Sequence, residues 1–188
     1  SLFTQLITAL SYRVFLSIFL SMRINTLTNM ADPQLTKLIQ DLTAIRSFAQ
    51  RYSKIIRDAR DYVIDAGKTG RTKLSEAEKA EKTIFGMKVE AYLRYEFAWG
   101  KGPKLDFYFN CIEFDSKATV GKTWMVPPEA VGELCLLTLL DEKRSVYSAG
   151  VIRASLTALT KGKNQDKKRS VSAIGKQSIH WLIKDELY

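Results

Sequence analysis

The chain has 188 residues, 46% of them apolar and 26% charged, which fits one soluble globular domain and excludes low-complexity classes. Its 29 Lys and Arg outnumber 20 Asp and Glu, and the net charge of +9 favours encounter with a polyanion: nucleic acid first, an anionic membrane surface second. Two cysteines, Cys111 and Cys135, exclude a disulfide framework and a paired-cysteine metal site, so a reducing, cytoplasmic setting fits; a single histidine, His180, excludes a mechanism needing both a His base and a His ligand.

The apolar segment at 6–21, LITALSYRVFLSIFLS, is interrupted by Arg13 and falls short of the roughly 20 apolar residues of a spanning helix, so no membrane association is expected. It also lacks a positive amino-terminal region and a clean small-x-small cleavage site before Met30. Residues 1–29 therefore read as upstream translated sequence or a disordered extension, with Met22 or Met30 as the start and 30–188 as the domain. The KDEL near the end is followed by Tyr188 and cannot serve as a retention signal.

From Gln34 to about Val63, Leu35, Leu38, Ile39, Leu42, Ile45, Phe48, Tyr52, Ile55 and Ile56 recur at helical spacing, which predicts a long packed stripe. The polar stretch DAGKTGRTK breaks it. Ser75, with Glu78 three residues on, predicts a capped helix running to Trp99 and stopped by Gly100 and Pro103. The period then becomes twofold: Leu105–Phe109 and Ile112–Lys117 read as two strands around an Asn110-Cys111 turn. A helical turn is expected at Glu129–Gly132, strands at Leu134–Leu140 and Ser145–Val151, and a helix from about Ser172 to Leu187, where Ile174, Ile179, Leu182 and Ile183 have helical spacing. This order predicts an α+β domain with a mixed sheet.

A two-residue turn sets Phe109 opposite Ile112, Tyr108 opposite Glu113, Phe107 opposite Phe114 and Asp106 opposite Asp115. Facing carboxylates repel unless something neutralises them. Alternation puts Asp115 and Lys117 on one side of the strand and Ile112 and Phe114 on the other. Two readings are open. The acids are exposed strand-end charges, with Lys117 screening Asp115; or they share a divalent cation, for which oxygen ligands favour Mg²⁺, beside a lysine suited to phosphodiester hydrolysis.

The blocks KAEKTIFGMKVEAYLRYEF, GKGPKLDFYFNCIEFDSK, TWMVPPEAVGELCLL and YSAGVI, in this order over about 36–188, resemble the NaeI-type restriction endonucleases, whose endonuclease domain is related to the mismatch-repair nicking enzyme MutH. The resemblance implies a restriction-endonuclease-like mixed β-sheet flanked by helices. It also implies that Glu90, Asp106, Asp115 and Lys117 are the catalytic set, with Asp106, Asp115 and Glu90 as Mg²⁺ ligands and Lys117 as the catalytic lysine. Ser116 replaces a cysteine of the family's namesake and is expected to be harmless, because it faces away from the metal. The family's second, carboxy-terminal DNA-binding domain is expected to be absent, and with it regulation by a second DNA copy.

The activity so implied is Mg²⁺-dependent, site-specific cleavage of double-stranded DNA by a homodimer. A MutH-like nicking enzyme and a catalytically unused DNA-binding module are the alternatives. Because the family has a matching TGR, Lys68 and Arg71 are candidate DNA contacts; GKTGR itself lacks the spacing of a nucleotide-binding loop. In KGKNQDKKRS, residues 161–170, Lys167, Lys168 and Arg169 are candidate phosphate contacts or part of a solvated loop. Trp99, Trp124 and Trp181 read as core, and His180 as packed beside Trp181.

Overall fold

The computed structural model describes residues 32–188. The extension expected over residues 1–29, with its apolar segment, lies outside the described residues. Helix α1 (Pro33–Thr43) starts where Pro33 presets the first turn and the Asp32 carboxylate accepts the Leu35 N–H at 3.0 Å. The long stripe expected from Gln34 to Val63 is two helices: α2 (Phe48–Ile64) follows a break at which Ser47 takes a left-handed backbone, φ 55°. The turn lets Leu35, Leu38 and Leu42 of α1 and Tyr52, Ile56 and Val63 of α2 join one core.

A short helix α3 (Ala66–Thr69) and a 3₁₀ turn (Leu74–Glu76) lead to α4 (Lys79–Phe97). The expected Ser75–Glu78 cap gives way to one a turn later, because the Glu81 carboxylate takes the Glu78 N–H at 2.7 Å. The strands are β1 (Phe107–Phe109), β2 (Ile112–Thr119), β3 (Met125–Val126), β4 (Leu134–Asp141), β5 (Val146–Arg153), β6 (Arg169–Ser170) and β7 (His180–Leu187), with α5 (Ala173–Gln177) before the last. The main sheet has the order β1-β2-β4-β5-β7; β2 and β4 are parallel and the other pairs antiparallel, while β3 and β6 form a small ribbon. Mixed sheet and flanking helices make the α+β fold expected from the sequence.

The carboxy-terminal helix expected from Ser172 to Leu187 is corrected: only α5 is helical, and β7 pairs with β5. The reason is tertiary. Gly150 lets β7 approach closely, since a Cβ there would stand 2.6 Å from Ile179 Cγ2 and 2.8 Å from the His180 carbonyl. The register slips between Tyr147 and Ala149, and Asp185, at φ 53°, donates its N–H to Ser148 Oγ at 3.0 Å.

Strand β4 is covered on both faces, as its nearly unbroken apolar run LCLLTLL requires. Leu134, Leu136, Phe107, Phe114, Tyr147 and Val151 meet α1, α2 and α4 in one core; Cys135, Leu137 and Ile152 meet Trp124, Val126, Leu159 and Val171 in a second. Of the three tryptophans expected in the core, Trp99 and Trp124 are buried and Trp181 packs against the second cluster. Among the described residues no helix is long and apolar enough to cross a membrane.

Candidate active site

The β1–β2 hairpin forms in the expected register, with Phe107 opposite Phe114 and Phe109 opposite Ile112 around Asn110 and Cys111, both with positive φ. Beyond Phe107 the ladder stops, and the remainder of β2 pairs only with β4. The donor that a longer β1 would have met, the Ser116 N–H, is taken instead by the Asp106 carboxylate at 2.9 Å. Asp106 is thereby fixed beside the strand that carries the next two candidates.

Asp115 and Lys117 lie in register with Cys135 and Leu137 of β4, so they share the sheet face of the second core. Lys117 Nζ sits 2.6 Å from Asp115 Oδ2 and 3.4 Å from Asp106 Oδ2, and donates to the Ser116 carbonyl at 2.7 Å. One ammonium thus stands between two carboxylates. Asp115 is 3% exposed, and its Oδ2, though beside Lys117, receives no aligned hydrogen bond. Burial pushes the Asp115 carboxyl up to about 7, with Asp106 adding to the rise and Lys117 opposing it. For Lys117, burial acts to lower the pKa, but Asp115 and Asp106 outweigh it and hold the ammonium above its ordinary value. Cys135, on the floor of the site, is raised chiefly by burial and stays a thiol.

Glu90 projects from α4 and pairs with Arg94 at 2.6 Å; the same Arg94 nitrogen donates to the Asp106 carbonyl at 3.2 Å. Glu90 therefore joins the site through Arg94, and among the described residues no three acidic, His or Cys side chains are gathered as a preformed metal cluster. The donor set nonetheless suits a hard cation: two carboxylates, one with a buried oxygen lacking an aligned donor, beside a backbone carbonyl. Asp106 and Asp115 could hold such an ion, and Glu90 could reach toward it only by releasing Arg94. Ser116 is buried and alternates away from Asp115 and Lys117.

The candidate DNA contacts divide. Lys68 is exposed and pairs with Asp65 at 3.3 Å, whereas Arg71 is held by Glu81 at 2.8 Å. Lys167 is exposed in a turn where the Asn164 side chain accepts the Lys168 N–H; Lys168 lies 3.9 Å from Asp166. Arg169 donates to the Thr160 and Lys161 carbonyls, both at 2.7 Å, and so braces the loop. Sequence reasoning missed Arg94, although its four-residue spacing from Glu90 marked a shared helix face. It also missed Lys122 and Lys176, which meet where Lys176 Nζ donates to the Lys122 carbonyl at 2.6 Å, a contact between distant segments that no local pattern signals.

A sequence model described as restriction endonuclease NaeI matches residues 36–187. The type II restriction enzyme NaeI of Lentzea aerocolonigenes is 28% identical over 155 residues, covering 82% of this chain and 49% of that enzyme. The chain thus spans about half the length of this relative. With a family match over most of its length and the Asp106–Asp115–Lys117 hairpin in place, the chain belongs to the NaeI restriction endonuclease family.

Proposed function

We propose that residues 30–188 form a cytoplasmic, Mg²⁺-dependent endonuclease domain that hydrolyses phosphodiester bonds at specific sites in double-stranded DNA. The single observation that carries this reading is the Lys117 ammonium set between the Asp106 and Asp115 carboxylates, at 3.4 and 2.6 Å. Phosphodiester hydrolysis needs charge stabilisation on the phosphate and a positioned water, and this hairpin offers groups for both.

When bound, Mg²⁺ supplies charge stabilisation on the phosphate and a more acidic water. The chain's own residues do the rest. Asp106 and Asp115 hold the cation, and Asp106 is kept in place by the Ser116 N–H. Lys117, retained as an ammonium, orients the attacking water and faces the developing negative charge. As the water oxygen bonds to phosphorus it gives up a proton to solvent, the ester P–O bond breaks, and the departing oxygen takes up a proton from solvent in turn. Glu90, now paired with Arg94, would complete the acidic cluster on releasing that arginine.

The substrate reaches the site along a basic margin. Lys161, Lys163 and Lys167 are exposed on the loop between β5 and β6, and Lys122 and Lys176 stand on the segments beside it. The Val171 N–H donates to the Trp124 carbonyl at 3.1 Å, and both residues pack on the sheet face that carries Asp115 and Lys117. Phosphate contacts from these lysines position DNA without reading its sequence. Cutting both strands of a palindrome requires two sites related by a twofold axis, hence a homodimer.

The test is incubation of the chain with supercoiled plasmid, in Mg²⁺ and in EDTA. Discrete linear bands that depend on Mg²⁺ support the proposal. Nicked circles alone indicate a monomeric nicking enzyme, and bound but uncut DNA indicates a binding module.

A further inference from the structure

Glu113 has no place in the reading above, yet alternation along β2 puts it on the same strand face as Asp115 and Lys117. By position alone, a further acid there is a candidate metal ligand. Its contacts assign it differently. Glu113 Oε1 accepts the backbone N–H of both Lys104 and Leu105, so the loop before β1 folds over this carboxylate. Gly102 makes the approach possible, because a Cβ at that position would stand 2.7 Å from Glu113 Cγ and 2.8 Å from the Leu105 carbonyl.

The same loop delivers Asp106. At its start, Gly100 and Tyr108 exchange two backbone hydrogen bonds, of 3.0 and 2.7 Å. Between these and the β1 ladder, Glu113 holds the backbone, Leu105 is buried in the second core, and Lys104 Nζ reaches Glu133 at 2.7 Å. The residue after Leu105 is Asp106, whose carboxylate sits on the Ser116 N–H at 2.9 Å. The acid at 113 and the acid at 106 therefore cross the hairpin in opposite directions, each accepting main-chain N–H groups from the other's segment.

We propose that Glu113 is a positioning residue of the metal site: it fixes the Lys104–Leu105 backbone, and through it the Asp106 carboxylate, and so sets divalent-cation affinity without touching the cation. The inference rests on Asp106 and Asp115 as the cation's ligands. A role as a direct ligand would require Glu113 to release both N–H groups.

The experiment uses the full chain with Glu113→Gln, Glu113→Ala and Gly102→Ala. Ca²⁺ binding is followed by titration calorimetry, and amide hydrogen exchange at Lys104 and Leu105 is followed without metal. Loss of a residue that orients a metal ligand costs about tenfold or more in affinity, and that is expected for Glu113→Ala, together with faster exchange at both amides. Glu113→Gln keeps an acceptor oxygen and is expected to stay within about threefold of wild type with both amides protected. Gly102→Ala, which keeps the carboxylate but blocks its seat, is expected to follow Glu113→Ala and gives the same readout if that variant does not fold. Glu113→Gln as weak as Glu113→Ala with its amides still protected would make Glu113 a direct ligand and overturn the inference. Faster exchange with unchanged Ca²⁺ affinity would also overturn it. A wild-type chain that binds no Ca²⁺ removes the metal site itself, a failure recognised from the wild-type titration alone.

Discussion

Replacing Lys117 by Met keeps an apolar stem and removes the ammonium that stands between two acids. Lys117 and Asp106 have side chains 25% exposed and Asp115 5%, so little solvent is at hand to replace the lost cation. Removing one partner of a buried ion pair costs about 3–5 kcal/mol, and the lower end applies here because Asp115 can escape by taking up a proton. The sign with pH follows from that escape. Asp115 has its folded pKa raised from 3.8 to about 7, so its protonated form stabilises the fold fully below the lower value, and this contribution is lost as the pH climbs through the upper one. Without Lys117, which opposes that rise, the loss should deepen across the same window. At pH 8, about 3 kcal/mol corresponds to a fall of roughly 6–12 °C in Tm for a domain of this size. At pH 5, with Asp115 protonated, the difference should shrink to about a third of that. Thermal unfolding in EDTA at the two pH values reads both numbers. An equal loss at pH 5 and pH 8 would mean that Lys117 stabilises through its stem, and no loss at pH 8 would mean that the two carboxylates do not depend on it.

Lys117→Ala is expected to abolish plasmid cleavage while leaving DNA binding in EDTA largely intact; retained cleavage would remove the mechanism. Asp106→Asn keeps an acceptor for the Ser116 N–H and removes one of two facing charges, so the metal-free Tm should not fall even as cleavage disappears; a drop of several degrees would show that Asp106 stabilises the fold as an anion. Neutralising Lys163 and Lys167 together should flatten the dependence of DNA affinity on salt by about 0.9 per lost phosphate contact, measured by filter binding, and an unchanged slope returns the loop to solvated surface. Asp32→Ala removes both a helix cap and a two-pronged pair with Arg153, at 2.8 and 2.9 Å, and should cost about 2 kcal/mol in urea unfolding at pH 7. Asp32 is held below its ordinary pKa chiefly by the Arg153 hydrogen bond, so the ionic part of this contribution is present above the unfolded value and lost as the pH falls through the folded one; a difference that does not shrink as the pH is lowered contradicts the assignment.

The hairpin was legible because everything that defines it is local: a turn pair, strict alternation and apolar residues on one face. Its register followed, and with it the meeting of Asp106, Asp115 and Lys117. The break at Ser47 carries no glycine or proline to announce it, so the stripe from Gln34 to Val63 looked continuous. The strand after Gln177 is hidden because Ile174, Ile179, Leu182 and Ile183 follow helical spacing while Ile179, Trp181 and Ile183 alternate as a strand does, and the choice between them is made by Gly150 on a strand far back in the chain. The tie between Glu90 and Asp106 was invisible for another reason: it runs through the Asp106 main-chain carbonyl and Arg94, and only side-chain identity is written in a sequence.

The Asp106–Lys117 contact spans only 11 residues of chain. Most of the candidate site therefore lies within one hairpin, a unit that closes in about 1–10 μs, long before β7 can find β5. Its like-charged pair opposes chain closure at an early step, and Lys117 or a divalent ion relieves it at that moment. The rate of refolding, and not only the stability of the finished domain, should then respond to Ca²⁺.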